Sequence, residues 1–205
     1  MKKRLTAFRK ELGRNSQLRT GLILLAILVV GAVGAPILAT NDPFKLYDSI
    51  RVAPGVDGFL FGTDNLGRDI YSQILYGART SLEIGIIAAS ISAVVGTLIG
   101  GIAGYFGGVV DKIIVEFINI FVMTPSFFLI LIIVALFGSD IRYVMIVIGL
   151  TSWPGNARLM RAQAISLRER TFVRAAQAMG ESRPGIMFKH IIPNGIFPII
   201  ANTTM

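Results

Sequence analysis

The chain alternates between long uncharged apolar runs and short polar connections. The first run covers 21–39. A helix of that length, at about 1.5 Å per residue, crosses a hydrocarbon core of about 30 Å. The second run, 84–110, places small residues at every fourth position: Ala88, Ser92, Gly96, Gly100, Gly104 and Gly108. A second row, Gly85, Ala89, Ala93, Thr97 and Gly101, lies beside the first. Each row is a stripe on one helix face, and such stripes let a neighbouring backbone approach closely in lipid. Tyr105 to Gly108 are expected to end this helix in a turn. A third segment, 112–137, holds Pro125 inside and Glu116 and Asn119 near its start. The fourth, 143–157, ends in Trp153-Pro154-Gly155-Asn156. Trp153 is expected at a membrane interface, with Arg158 and Arg161 snorkelling beyond it. After His190 the chain is apolar to Met205. That run is short for a span, so it is expected to be the start of a fifth helix of a longer protein.

This pattern predicts an all-α, polytopic membrane helix bundle. It divides into a basic tail (1–20), a first transmembrane helix (21–39), a polar loop (40–80) and a helical core (81–205). Within the core, membrane helices are expected at about 82–104, 112–137 and 142–160. A polar interruption follows at about 165–192, and the fifth helix starts at 193–205. A cleaved signal peptide is the rival reading of 21–39. Its apolar core would measure about 7–15 residues, which favours an uncleaved anchor here.

Composition agrees. Of 205 residues, 53% are hydrophobic and 16% charged, against about a quarter charged in soluble domains; mean hydropathy is +0.67. The net charge of +8 matters through its distribution. The tail carries Lys2, Lys3, Arg4, Arg9, Lys10, Arg14 and Arg19; the stretch 158–190 carries Arg158, Arg161, Arg168, Arg170, Arg174, Arg183 and Lys189. Counting crossings puts both on one side, which the positive-inside rule makes cytoplasmic, with 40–80 outside. The charge therefore points to a membrane and not to nucleic acid. Cysteine is absent and there is one histidine, so thiol chemistry and a histidine-built metal site are not expected. No phosphate-binding Gly-Lys loop, nucleophile elbow or zinc-protease motif occurs in the sequence. The chain is expected to be no enzyme and to bind no cofactor or metal itself.

The interruption carries the most information. Phe172, Ala175, Ala176 and Met179 recur at helical spacing on one face, which the alanines keep shallow. Gly180 is suited to end that helix. Ser182 and Pro184 are suited to start the next, and Pro193 marks re-entry. A basic helix resting on headgroups explains the arginines. A partner protein reaching the backbone explains the shallow face and the glycine turn as well.

Ala175-Ala176, three residues, Gly180, then Ile192-Pro193 resembles the "EAA" loop of ABC-transporter permeases. Gly62-Thr63-Asp64-x-Leu66-Gly67-Arg68-Asp69 with Gly77-Ala78-Arg79-x-Ser81-Leu82 resembles the outer loop of the dipeptide/oligopeptide/nickel branch. Ala103-Gly104-Tyr105-x-Gly107-Gly108, Trp153-Pro154-x-x-Ala157-Arg158-Leu159, Ser166-Leu167-Arg168-Glu169 and His190-Ile191-Ile192-Pro193-Asn194 look like the same branch. One helix before the long loop resembles the second, "C"-type permease. The resemblance implies a multi-pass subunit in a prokaryotic inner membrane, N-terminus cytoplasmic. It implies a second homologous permease, two ATP-binding-cassette ATPase subunits that hold ATP and Mg, and an external solute-binding protein. Coupling to the ATPase would run through Phe172, Arg174, Ala175, Ala176, Met179, Gly180, His190, Ile192 and Pro193. Four positions depart from the general pattern: Arg174 replaces the usual acid, His190 stands at an aliphatic position where this branch commonly has histidine, and Glu116 and Asn119 stand where Arg and Asp are expected in relatives. The competing class is a secondary transporter or channel, which would carry ionisable residues in mid-helix; Glu116 comes nearest, at a helix end. A pathway-free membrane scaffold would not need the docking loop.

Overall fold

A computed structural model describes residues 13–138 and 140–203. The tail residues Lys2, Lys3, Arg4, Arg9 and Lys10 lie outside the described residues, as do the last two positions of the expected fifth helix. The described residues are all-α, with no strand beyond two isolated bridges in the loop. The chain forms two compact units, 1–83 and 84–205.

In the first unit, α1 (Ser16–Val33) is capped by Asn15, whose side chain accepts from the Leu18 N–H. The short α2 (Ala35–Leu38) follows, with Pro36 in its first turn. The loop then folds on itself and ends at the start of α3 (Ile70–Phe106). That helix begins well before the expected residue 82. Its first turns are polar and amphipathic, with an Arg79–Glu83 pair at 3.1 Å, so hydropathy alone marks only its apolar continuation.

In the second unit, α3 ends at Phe106, and Gly107 and Gly108 both take positive φ. The third apolar segment is two helices, α4 (Gly108–Met123) and α5 (Ser126–Phe137), bent by 72° at Thr124-Pro125. Pro125 has no N–H to donate and its ring excludes a continuous helix. The fourth segment, α6 (Ile141–Arg168), runs past residue 160 and through Pro154. Among the described residues, two helices are long and apolar enough to cross a membrane, and a third span results if α4 and α5 count as one.

The contact between α3 and α6 sets the core. A Cβ on Gly96 would lie 2.6 Å from Asn156 Cβ and 2.9 Å from Trp153 O. One on Gly100 would strike the Ala157 carbonyl, and one on Gly104 the Arg161 carbonyl. Gly149 closes the row from the other side, against Ile91 and Ala88. The partners rise together in number, so α3 and α6 run parallel. Gly108 meets nothing within 4 Å and lies outside this contact.

Two expectations are corrected. Trp153 does not face headgroups but packs within the protein. It is 4% exposed, stacked on Phe117 at 6.1 Å and packed on Phe121 at 5.3 Å. Nor do the arginines snorkel free. Arg161 grips Asp111 of α4 through two hydrogen bonds of 2.5 and 2.7 Å, and Arg158 donates to Asn119 Oδ1 at 3.3 Å. Both results follow from α4 folding back against α6, which brings its polar positions within reach.

Candidate docking helix and loop motif

After α6 the chain makes α7 (Thr171–Ala178). Val173 and Ala176 turn inward, at 0% and 2% exposure, into a cluster with Tyr105, Met160, Ala164 and Ile186. Phe172, Ala175 and Met179 stay outside, and Met179 is 81% exposed. Sequence spacing grouped Ala176 with that outer face. The cluster beneath α7 turns it the other way.

The helix stops in a Schellman motif. Gly180 takes φ +79° and donates to Gln177 O, and Glu181 N–H donates to Ala176 O at 3.1 Å. Ser182 then caps α8 (Arg183–Ile186), its hydroxyl accepting from Gly185 N–H at 3.3 Å. A π-helical turn, Met187–Ile191, leads into α9 (Ile192–Gly195) and α10 (Phe197–Thr203). The wider turn holds Met187 and Ile191 in the core under α7.

A latch closes this element. Glu181 pairs with Lys189 Nζ at 3.0 Å and with His190 Nε2 at 2.9 Å. His190 also lies against the Phe172 ring, at 6.4 Å between centroids. Lys189 first, then His190, holds the Glu181 carboxyl below its ordinary value. A depressed carboxylate stabilises above its unfolded pKa, and the contribution is lost as pH falls through the folded one. Amide protection over 180–191, corrected for the intrinsic exchange rate at each pH, is therefore expected to fall as pH drops below about 4. Glu181→Gln is expected to show the reduced protection already at pH 7, with little further change on acidification. A wild-type profile flat down to pH 3 would show that the latch carries no stability.

The predicted coupling residues thus divide. Phe172, Ala175, Met179 and Gly180 are exposed together; Ala176 and the half-buried Ile192 pack inward. His190 braces, and Pro193 starts α9. Arg174 turns to Glu169, at 2.8 Å. Arg174 holds the Glu169 carboxyl below its ordinary value. Sequence reasoning missed Glu181, Lys189 and Glu169. Glu181 and Lys189 are eight residues apart across a turn, and no helical spacing links them.

The loop motif is in the other unit and builds itself. Gly62 and Gly67 take φ near +77° and +76°, and a Cβ on either would strike the backbone carbonyl of Val52 or Tyr47. The Thr63 hydroxyl donates to Ser49 O at 2.5 Å and accepts from Val52 N–H at 3.0 Å. Asp64 Oδ1 accepts from the Leu66 and Arg68 N–H groups at 2.8 and 2.9 Å, while Oδ2 pairs with the Arg68 guanidinium. The Arg68 N–H, joined by the Leu66 N–H and the Arg68 side chain, draws the Asp64 carboxyl far below the usual range. Asp69 is fully buried and caps α3, accepting from Ser72 Oγ at 2.5 Å and from Ser72 N–H at 3.3 Å. Each polar residue of the motif is engaged in holding the loop's shape.

Comparison with known proteins agrees with this architecture. Residues 96–205 match the binding-protein-dependent transport system inner membrane component family. The chain belongs to that family. Its match covers Gly96, Gly100 and Gly104 of the α3–α6 contact, α7 and the Glu181 latch. The chain is 37% identical over 196 residues to the dipeptide transport system permease protein DppC of Alkalihalophilus pseudofirmus, covering 96% of this chain and 64% of that one. It is 39% identical over 186 residues to the oligopeptide transport system permease protein OppC of Haemophilus influenzae, covering 88% and 59%. A probable D,D-dipeptide transport system permease protein, DdpC of Escherichia coli, is 31% identical over 186 residues, covering 91% and 62%. The chain therefore spans about three fifths of the length of these curated relatives. The family is one of transport components, not of catalysts.

Proposed function

We propose that the chain is part of a transmembrane permease subunit in an ATP-driven importer of peptides or a related small solute. It pairs with a second homologous permease to form half of the pathway. An external solute-binding protein delivers the solute. Two separate ATPase subunits bind ATP and Mg, which this chain does not. The subunit is multi-pass in a prokaryotic inner membrane, with a cytoplasmic N-terminus.

The observation that carries this reading is α7. It offers a shallow apolar face of Phe172, Ala175 and Met179, while Val173 and Ala176 lock the helix onto α6 and the end of α3. A helix braced this way moves with whatever grips it. ATPase closure would then bias the bundle between two packings by differential contact.

The test uses the tagged protein at native length, extracted with its partners. An ATPase and a second permease are expected to copurify, and uptake of a labelled dipeptide into vesicles is expected to require both ATP and the binding protein. Uptake driven by an ion gradient without ATP would overturn the proposal in favour of a secondary transporter.

A further inference from the structure

A basic pocket of about 240 Å³ lies between α7 and the ends of α3 and α6. Arg168, Arg174 and Arg183 converge on it around one carboxylate, Glu169. Arg168 and Arg174 both reach Glu169, at 3.4 and 2.8 Å. Arg168 also donates to Gly104 O at 3.3 Å. Among the described residues Arg183 has no ion-pair partner. Three guanidinium groups against one carboxylate leave the pocket strongly positive, and like charges held this close favour an anion between them.

The other walls indicate which anion. Tyr105 and Phe106 line the pocket, with their rings 5.2 Å apart at the end of the long apolar helix. These two residues close α3, and a helix long and apolar enough to cross a membrane leaves the hydrocarbon core at its end. From α7 the pocket takes Arg174 and Gln177. At about 100° per residue these stand nearly opposite the Phe172, Ala175 and Met179 face. The pocket is therefore not the surface offered to an ATPase. The geometry points to a binding site for the phosphate of an anionic phospholipid headgroup, held by Arg168, Arg174 and Arg183 beside Tyr105 and Phe106. Basic pockets between membrane helices take acidic headgroups in this way, and guanidinium forks suit phosphate oxygens. A bound lipid would tie α7 to the helix ends beneath it. This inference uses the membrane location of the family and is independent of ATP coupling.

The test is native mass spectrometry and thermal denaturation of the full-length protein, extracted in neutral detergent and titrated with single lipids. Phosphatidylglycerol is expected to remain bound and raise the melting temperature by several degrees; phosphatidylcholine is not. The double variant Arg174→Gln/Arg183→Gln is expected to lose at least tenfold in phosphatidylglycerol affinity while keeping the wild-type melting temperature in phosphatidylcholine. Both side chains are exposed, so folding should survive. Arg158→Gln removes an exposed arginine outside the pocket and is expected to bind like wild type. Equal loss in Arg158→Gln, or no preference for phosphatidylglycerol, would overturn the site. Equal stabilisation by inorganic phosphate alone would overturn the lipid assignment in favour of a free-anion site.

Discussion

Gly100→Leu is expected to abolish the folded bundle. A Cβ at this position would strike the Ala157 carbonyl, with Ala157 C and Cα also in the way. Those atoms are backbone of a packed helix and cannot rotate aside. Adding methylenes to a close-packed interior costs about 1–3 kcal/mol when side chains can shift. Here whole helices must separate, so the effect should be at the top of that range or above. The loss would spread through Ala157 to the Trp153, Phe117 and Phe121 cluster. The measurement is the monodisperse fraction and the melting temperature after detergent extraction. Gly155→Ala is the matched control, since nothing lies within 4 Å of it. It should be neutral or slightly stabilising, because alanine is the better helix former. A Gly100→Leu protein as stable as Gly155→Ala would mean that α3 and α6 do not pack as described.

Met179→Glu is expected to leave folding unchanged and uncouple the subunit. Met179 is 81% exposed, and surface substitutions of that kind stay within about 0.5 kcal/mol. In the proposed complex the same side chain enters an apolar cleft of the ATPase. A carboxylate buried there without a partner costs several kcal/mol. ATPase copurification should therefore fall at least tenfold, about 1.4 kcal/mol, and uptake should fall with it. Gln177→Glu adds the same charge on the opposite flank and should keep association. Equal loss in both variants would remove Phe172, Ala175 and Met179 as the docking face.

The sequence carried the local rules well. The small-residue row predicted a close helix contact, because small side chains permit one, and Gly96, Gly100 and Gly104 are where α6 comes within reach. Gly180, Ser182 and Pro184 each announce a helix end or start through backbone chemistry that needs no distant partner. The loop motif was visible as a string of glycines and acids, though its internal hydrogen bonding was not. Periodicity could not tell that Ala176 faces inward while Ala175 faces out. Both alanines fit a helix face, and the choice depends on Val173 and Ile186 beneath.

By itself the sequence determined the all-α membrane architecture, and it marked the short helix at 171–178 with its glycine stop. These follow from hydropathy and turn chemistry, which act over a few residues. Only the tertiary structure decided the break at Pro125, the burial of Trp153, the Asp111–Arg161 grip, the Glu181 latch and the arginine pocket. Each depends on side chains that folding brings together from different elements or across a turn, and no repeat along the chain records such a meeting.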